Sequence, residues 1–121
     1  MKDCVFCKII KKELPCYDLY EDDKVIVFLS IDPLSNGHTL IVPKNHYIDI
    51  TDIPIDTLNH INKISKEIYN LLKEKLNFIG LKFVQNNGTL QEVKHYHLHL
   101  IPVYNKNTKL TLDEVYKKIK E

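Results

Sequence analysis

The longest regular pattern in the sequence is an amphipathic segment between residues 55 and 76. Apolar side chains recur there in steps of three and four, at positions 55, 58, 61, 64, 68, 71, 72 and 76, as expected for one face of an α-helix. Pro54 suits the first turn of this helix. Further along, residues 111–114 form a capping box, which predicts a short terminal helix. Its inward-facing residues are Val115, Tyr116 and Ile119.

Short apolar runs bounded by turn residues predict the β-strands. Val25–Leu29 and residues 38–42 are two such runs, and the Asn36-Gly37 turn between them favours antiparallel pairing. Further strands are predicted over residues 81–84 and 95–102, and a short helix over residues 4–12. The inward residues of that short helix are Phe6, Ile9 and Ile10. Antiparallel strands with one main crossover helix indicate an α+β fold.

Histidine alternates with apolar residues at the start of the last predicted strand. Because strand side chains point alternately to two faces, the three histidines should share one face and the apolar residues the other. We expect the apolar face to be core and the histidine face not to be. At about 3.3 Å per residue, the outer two histidines would lie about 13 Å apart, too far to bind one ion. The histidines are His95, His97 and His99, and the apolar residues are Tyr96, Leu98 and Leu100.

This arrangement indicates either a metal site or imidazoles placed for nucleophilic and acid–base chemistry. Cys4 and Cys7, in a Cys-x-x-Cys motif, bear on the first alternative. Two thiolates and two histidines would form a closed tetrahedral zinc site of the structural type. The spacing alone does not select which histidines would take part.

Composition narrows the function classes. The chain has 121 residues, which suits one domain, and its net charge of +1 argues against a nucleic-acid binder with a broad basic face. It has no apolar run of about 20 residues and no apolar segment behind a basic start, so we expect a cytoplasmic protein without a membrane span. The sequence contains no Arg; any phosphate must be held by His, Lys, side-chain amides or backbone N–H groups.

The histidine strand and its surroundings resemble the histidine triad (HIT) superfamily of nucleotide hydrolases and transferases, most of all its bacterial Hint-type branch. The resemblance covers residues 4–102 and implies one HIT domain over residues 1–121. It implies a five-stranded antiparallel sheet with one long helix and short terminal helices, paired as a homodimer. Besides His-x-His-x-His, it rests on Cys4-Val5-Phe6-Cys7, Tyr20-Glu21-Asp22-Asp23, residues 37–46 and Asn86-Asn87-Gly88.

The resemblance also implies an activity on purine nucleotides. His97 would attack the α-phosphorus of a purine nucleoside phosphoramidate, forming a covalent nucleotidyl-histidine that water hydrolyses to AMP or GMP. The backbone carbonyl of His95 would fix the tautomer of His97, and His38 and His99 would contact the phosphate oxygens. Glu92 would join this catalytic group in place of the Ser found in Hint enzymes. A carboxylate there would repel phosphate unless it binds a cationic amine, so we expect Glu92 to select amine-bearing leaving groups.

Binding residues carried over from the family fall into two sets. The nucleotide site would comprise Phe6, Ile9, Phe28, Ile31, Asp32, Leu40, Asn86 and Gln91. A structural zinc ion, not needed for the chemistry, would be held by Cys4, Cys7, His46 and His95.

Three other functions stay open on the sequence. One is hydrolysis of dinucleoside polyphosphates, as in the Fhit branch. Another is a nucleotide-binding or scaffold role with incidental activity. The last is a metal-dependent hydrolase that uses the histidines as ligands.

Overall fold

A computed structural model describes residues 4–106 and 108–121, and its architecture is α+β. Five strands form one antiparallel sheet in the order β1-β2-β3-β5-β4. The strands are β1 (Asp18–Glu21), β2 (Val25–Leu29), β3 (Thr39–Pro43), β4 (Gly80–Val84) and β5 (Leu98–Val103). The helices are α1 (Val5–Ile10), α2 (Ile55–Leu76) and α3 (Leu112–Lys120), and a 3₁₀ turn covers Gly88–Leu90.

The long helix has the predicted bounds, although Pro54 is its N-cap rather than part of its first turn. Asn77, in the left-handed conformation at φ 53°, ends it. The predicted capping box of α3 is present, with Thr111 and Glu114 bonded reciprocally. Within the described ranges, none of the helices is both long enough and apolar enough to cross a membrane.

The sheet carries an apolar cluster on each face, which explains the uninterrupted apolar runs of its central strands. All five residues of β2 and all five of β3 are buried. One cluster includes Ile41 and Leu100 of the sheet and lies under α2 and α3. The other lies under α1 and consists of Phe6, Ile9, Ile26, Phe28, Leu40 and Val42.

Two strands differ from what the apolar runs predict. No apolar run predicted β1, because only Leu19 of its four residues is buried, as suits a strand at the edge of a sheet. β5 begins at Leu98 rather than at His95. The segment before it leaves the ladder because the backbone N–H of Tyr96 donates to the carbonyl oxygen of Tyr47 at 2.7 Å.

Candidate active site and metal cluster

The histidine face of the last strand is buried, contrary to the prediction that it lies outside the core. His95 and His97 are 0% and 5% exposed, because α1 covers this side of the sheet. The Phe6 ring stands edge-on to the His97 ring, with centroids 4.9 Å apart. The apolar face is as predicted: Tyr96, Leu98 and Leu100 contribute to the cluster beneath α2.

The geometry of His97 leaves one ring nitrogen free. Its Nδ1 lies 2.7 Å from the carbonyl oxygen of His95, so Nδ1–H donates and Nε2 carries the lone pair. Burial lowers the pKa of His97, and this outweighs the carbonyl contact and the charge of Glu92, which raise it. The ring is therefore neutral near pH 7, the state in which imidazole acts as a nucleophile.

His38 and His99 form a pair beside His97. The backbone N–H of Leu34 donates to Nδ1 of His38 at 3.0 Å, and Nε2 of His38 lies 2.9 Å from Nδ1 of His99. Burial and the neighbouring imidazoles lower the pKa of both His38 and His99 to about 4. The rings of His97 and His99 are 4.7 Å apart at their centroids, so these three side chains form one site.

Two cysteines and two histidines form a separate cluster that can hold a metal ion. Their four ligand atoms all lie within 4.8 Å of one another. Cys7 Sγ is 3.1 Å from His46 Nδ1, and Cys4 Sγ is 3.4 Å from His95 Nδ1. Bonds of about 2.3 Å for Zn–S and about 2.0 Å for Zn–N put tetrahedral ligand atoms about 3.5 Å apart. The donor set and its spacing therefore fit a tetrahedral zinc ion.

His95 belongs both to the cysteine–histidine cluster and to the site around His97. Its Nε2 lies 2.8 Å from the carbonyl oxygen of Pro43, so Nε2–H donates there and the Nδ1 lone pair is free for a metal. Its own carbonyl accepts the Nδ1–H of His97. The structure thus joins the cysteine cluster to His97 through a single residue.

The predicted nucleotide-site residues separate into buried and exposed groups. Phe6, Ile9, Phe28 and Leu40 belong to the apolar cluster beneath α1, which also contacts His97 through Phe6. Ile31 is 74% exposed and Asp32 is also exposed, so both lie outside this cluster. Their contacts to a nucleoside remain predictions.

The polar segment before the histidines is hydrogen-bonded to a neighbouring loop. Gln91 is buried, and its Nε2 donates to the carbonyl oxygen of Ile48 at 2.6 Å. Its Oε1 is buried without a donor. Asn86 is half-buried and Glu92 is exposed.

Sequence reasoning anticipated the His95 carbonyl that orients His97, but it missed two other backbone groups that orient imidazoles. The N–H of Leu34 and the carbonyl of Pro43 each fix one ring. No side-chain pattern marks them, because every residue except proline carries the same donor and acceptor.

Comparisons with known proteins point to one family. A sequence model of the HIT domain matches residues 11–106. An uncharacterized HIT-like protein of Methanocaldococcus jannaschii is 44% identical over 97% of this chain and 98% of its own length. The adenosine 5′-monophosphoramidase of Candida albicans is 41% identical over 88% of this chain and 74% of its own.

A solved structure of a family member has the same fold as this chain. The zinc-bound histidine triad family protein from Mycobacterium smegmatis superposes with a TM-score of 0.90 at 31% identity, covering 98% of this chain and 91% of that one. The family match spans most of the chain, and it includes both the His38 strand and the His97 segment. The chain therefore belongs to the histidine triad family.

Proposed function

We propose that this chain is a purine nucleoside phosphoramidase that releases AMP, or GMP from the guanosine compound, through a covalent nucleotidyl-histidine on His97. The observation that carries the proposal is the 2.7 Å contact between His97 Nδ1 and the His95 carbonyl. It leaves Nε2 with its lone pair in a neutral, buried ring. The Candida albicans relative is an adenosine 5′-monophosphoramidase, and its activity supports the same substrate class.

Catalysis would proceed in two displacements at phosphorus. The Nε2 lone pair of His97 forms a bond to the α-phosphorus, and the P–N bond to the leaving amine breaks. The electron pair stays on the amine nitrogen, which takes up a proton. Water then attacks the phosphorus, the His97–phosphorus bond breaks, and the nucleotide leaves while the water proton is released.

The phosphate oxygens would be held by N–H groups of the histidine pair. The Leu34 N–H sets the proton of neutral His38 on Nε2, which donates to His99 Nδ1. The proton of His99 then resides on its Nε2, where it can donate to a phosphate oxygen. This supplies the donor that a chain without Arg must find elsewhere.

The cysteine cluster would hold a structural zinc ion. Cys4, Cys7, His46 and His95 provide the ligands, and a closed four-ligand site leaves no open position for substrate. The ion would brace the segment whose carbonyl orients His97. Two thiols that must stay reduced suit the cytoplasmic location expected from the sequence.

The protein would act as a homodimer. β4 lies at an edge of the sheet. Its Phe83 is 50% exposed, and the nearby Ile79 and Val103 are 60% and 39% exposed. An edge strand with exposed apolar side chains is a natural pairing surface. Light scattering should give twice the chain mass, and Phe83→Glu should give the monomer.

The deciding experiment is AMP release from adenosine 5′-phosphoramidate, with and without EDTA. We expect chelator-insensitive turnover that disappears in His97→Ala and persists in His60→Ala, a histidine on α2 outside the site. Mass spectrometry of a rapidly quenched reaction should detect the AMP adduct on His97. Equal turnover by His97→Ala would refute the covalent mechanism. No turnover by a folded wild type would favour dinucleoside polyphosphates or a binding role.

A further inference from the structure

The turn that leads into His38 is closed by hydrogen bonds within itself. The backbone N–H of His38 donates to the carbonyl oxygen of Ser35 at 3.1 Å, and Gly37 has a φ of +86°, as the third position of a type II turn requires. The same turn brings the Leu34 N–H to Nδ1 of His38 at 3.0 Å. The position of this N–H, and with it the tautomer of His38, therefore depends on the geometry of the turn.

Asn36, in the middle of this turn, attaches it to the chain just before α3. Its Nδ2 donates to the carbonyl oxygen of Thr108 at 2.5 Å, and its Oδ1 accepts the backbone N–H of Leu110 at 3.0 Å. The reverse orientation of the amide would oppose two oxygens and two N–H groups, so the pair of bonds fixes it. The side chain therefore bonds to residues 108–110 as a backbone peptide unit would.

Two further hydrogen bonds attach the turn to the end of β5 and the residue after it. The Tyr104 hydroxyl donates to the carbonyl oxygen of Asn36 at 2.7 Å, and the Ser35 hydroxyl donates to the carbonyl oxygen of Pro102 at 2.6 Å. Tyr104 and Leu110 both pack on the apolar cluster beneath α2 and α3. The turn is therefore held by parts of the chain that the core fixes in place.

We propose that Asn36 is a positioning residue of the candidate active site, which holds the turn so that the Leu34 N–H keeps the proton of His38 on Nε2. This inference rests on the proposed function and names the residue that keeps its phosphate donor in place. The effect passes through His38 to His99, because His38 Nε2–H donates to His99 Nδ1 at 2.9 Å and leaves the proton of His99 on Nε2. Asn36 contributes no group to the reaction itself.

The tautomer of His38 is the first test, and it needs no substrate. Without the Asn36 amide the turn can take other conformations, so the Leu34 N–H no longer occupies Nδ1 of His38 at all times. The neutral ring then carries its proton on either nitrogen. In ¹⁵N NMR at pH 7, we expect His38 to be protonated on Nε2 in wild type and to be a mixture of tautomers in Asn36→Ala. A wild-type tautomer in folded Asn36→Ala would overturn the positioning role.

A double-mutant cycle separates positioning from a purely structural role. For AMP release from adenosine 5′-phosphoramidate, kcat/KM should be about fivefold lower in Asn36→Ala than in wild type, the factor that corresponds to one net hydrogen bond. In the His38→Leu background the same substitution should leave kcat/KM unchanged, because the residue through which it acts is gone. An equal loss in both backgrounds would overturn the inference, since Asn36 would then act on the fold in general.

Two tyrosines provide a gentler variant and its matched control. Tyr104→Phe removes the hydroxyl bonded to the Asn36 carbonyl, whereas Tyr17→Phe removes a hydroxyl that donates to Asp113 of α3 at 2.7 Å, away from the turn. Both keep the aromatic ring, so Tyr104→Phe should fold even if Asn36→Ala does not. We expect Tyr104→Phe to lower kcat/KM about twofold and to shift the His38 tautomer. Tyr17→Phe should change neither, and equal effects of the two would contradict the positioning role.

The outcomes separate this inference from the proposed function. Wild-type turnover and a wild-type His38 tautomer in Asn36→Ala would overturn the positioning role and leave the phosphoramidase activity standing. No turnover by folded wild type would overturn the proposed function. A shifted His38 tautomer in Asn36→Ala would then still support Asn36 as the residue that positions this imidazole.

Discussion

The Nε2 atom of His38 lies 2.9 Å from the Nδ1 atom of His99. His38 precedes β3 and His99 belongs to β5, and these strands pair so that Leu40 faces His99. The contact therefore depends on strand register. Because the Leu34 N–H occupies the other nitrogen of His38, the hydrogen bonds set the protonation pattern of both rings.

This pattern predicts the tautomers directly. At pH 7, ¹⁵N NMR should find the proton on Nε2 in His38 and His99, but on Nδ1 in His97. Replacing His38 with Leu should lower AMP release at least about tenfold, since one orienting hydrogen bond is lost. His38→Gln, whose amide can still donate to His99, should retain more activity than His38→Leu. Equal rates in the two variants would contradict the orienting role.

The same pair predicts a loss of stability in mild acid. The pKa of His38 and of His99 is about 4 in the folded chain, against about 6.5 in an unfolded one. Between these values the unfolded state binds more protons, so the free energy of unfolding falls as the pH drops from about 6.5 to about 4. Denaturant unfolding across this range should show it. The double variant His38→Leu/His99→Leu should have a shallower pH dependence, and an unchanged slope would assign the effect to other groups.

Replacing a cysteine of the cluster should remove bound zinc, whereas replacing Cys16 should not. Cys7→Ser should lose bound zinc, measured by elemental analysis, and should melt at a lower temperature, because metal binding contributes to folding. AMP release should fall but persist, since His97 keeps its own bond to the His95 carbonyl. Cys16 lies outside the cluster, so Cys16→Ser should keep its zinc. Zinc retention by Cys7→Ser would exclude it as a ligand.

The turn before His38 contains a glycine, Gly37, whose replacement should destabilise the fold. Gly37 has φ +86°, and a Cβ there would overlap Leu76 Cδ1 of α2. Gly37→Ala should therefore destabilise the fold by about 2 kcal/mol or more, from backbone strain and the clash together. Gly80 has open space and an ordinary φ, so Gly80→Ala should change the unfolding free energy by less than about 0.5 kcal/mol. Equal costs at the two positions would show that the turn geometry is not limiting.

Local patterns in the sequence predicted much of the fold. The 3.6-residue periodicity gave α2 with the bounds observed, Ile55–Leu76, and the capping box gave the start of α3. These patterns did not predict β1, because a solvent-facing edge strand needs no apolar alternation. Its existence followed only from the family resemblance, which carries information from whole folds rather than from local periodicity.

The candidate site was only partly predictable. Alternation correctly grouped Tyr96, Leu98 and Leu100 on one face, but it predicted an unburied histidine face. α1 covers that face because Phe6 and Ile9 pack on the sheet. A partner 91 residues away in the chain, as Cys4 is from His95, leaves no trace in local spacing.

The sequence by itself determined the elements and the chemical groups: where the helices run, which strand face is apolar, and which imidazoles and thiols are present. Only the tertiary structure decided how these groups act, because a ring's free nitrogen is set by the backbone atom that occupies the other one. His95, His97 and His99 are alike in the sequence. In the fold, the Pro43 carbonyl directs His95 toward the cysteines, the His95 carbonyl frees Nε2 of His97, and His38 turns His99 into a donor.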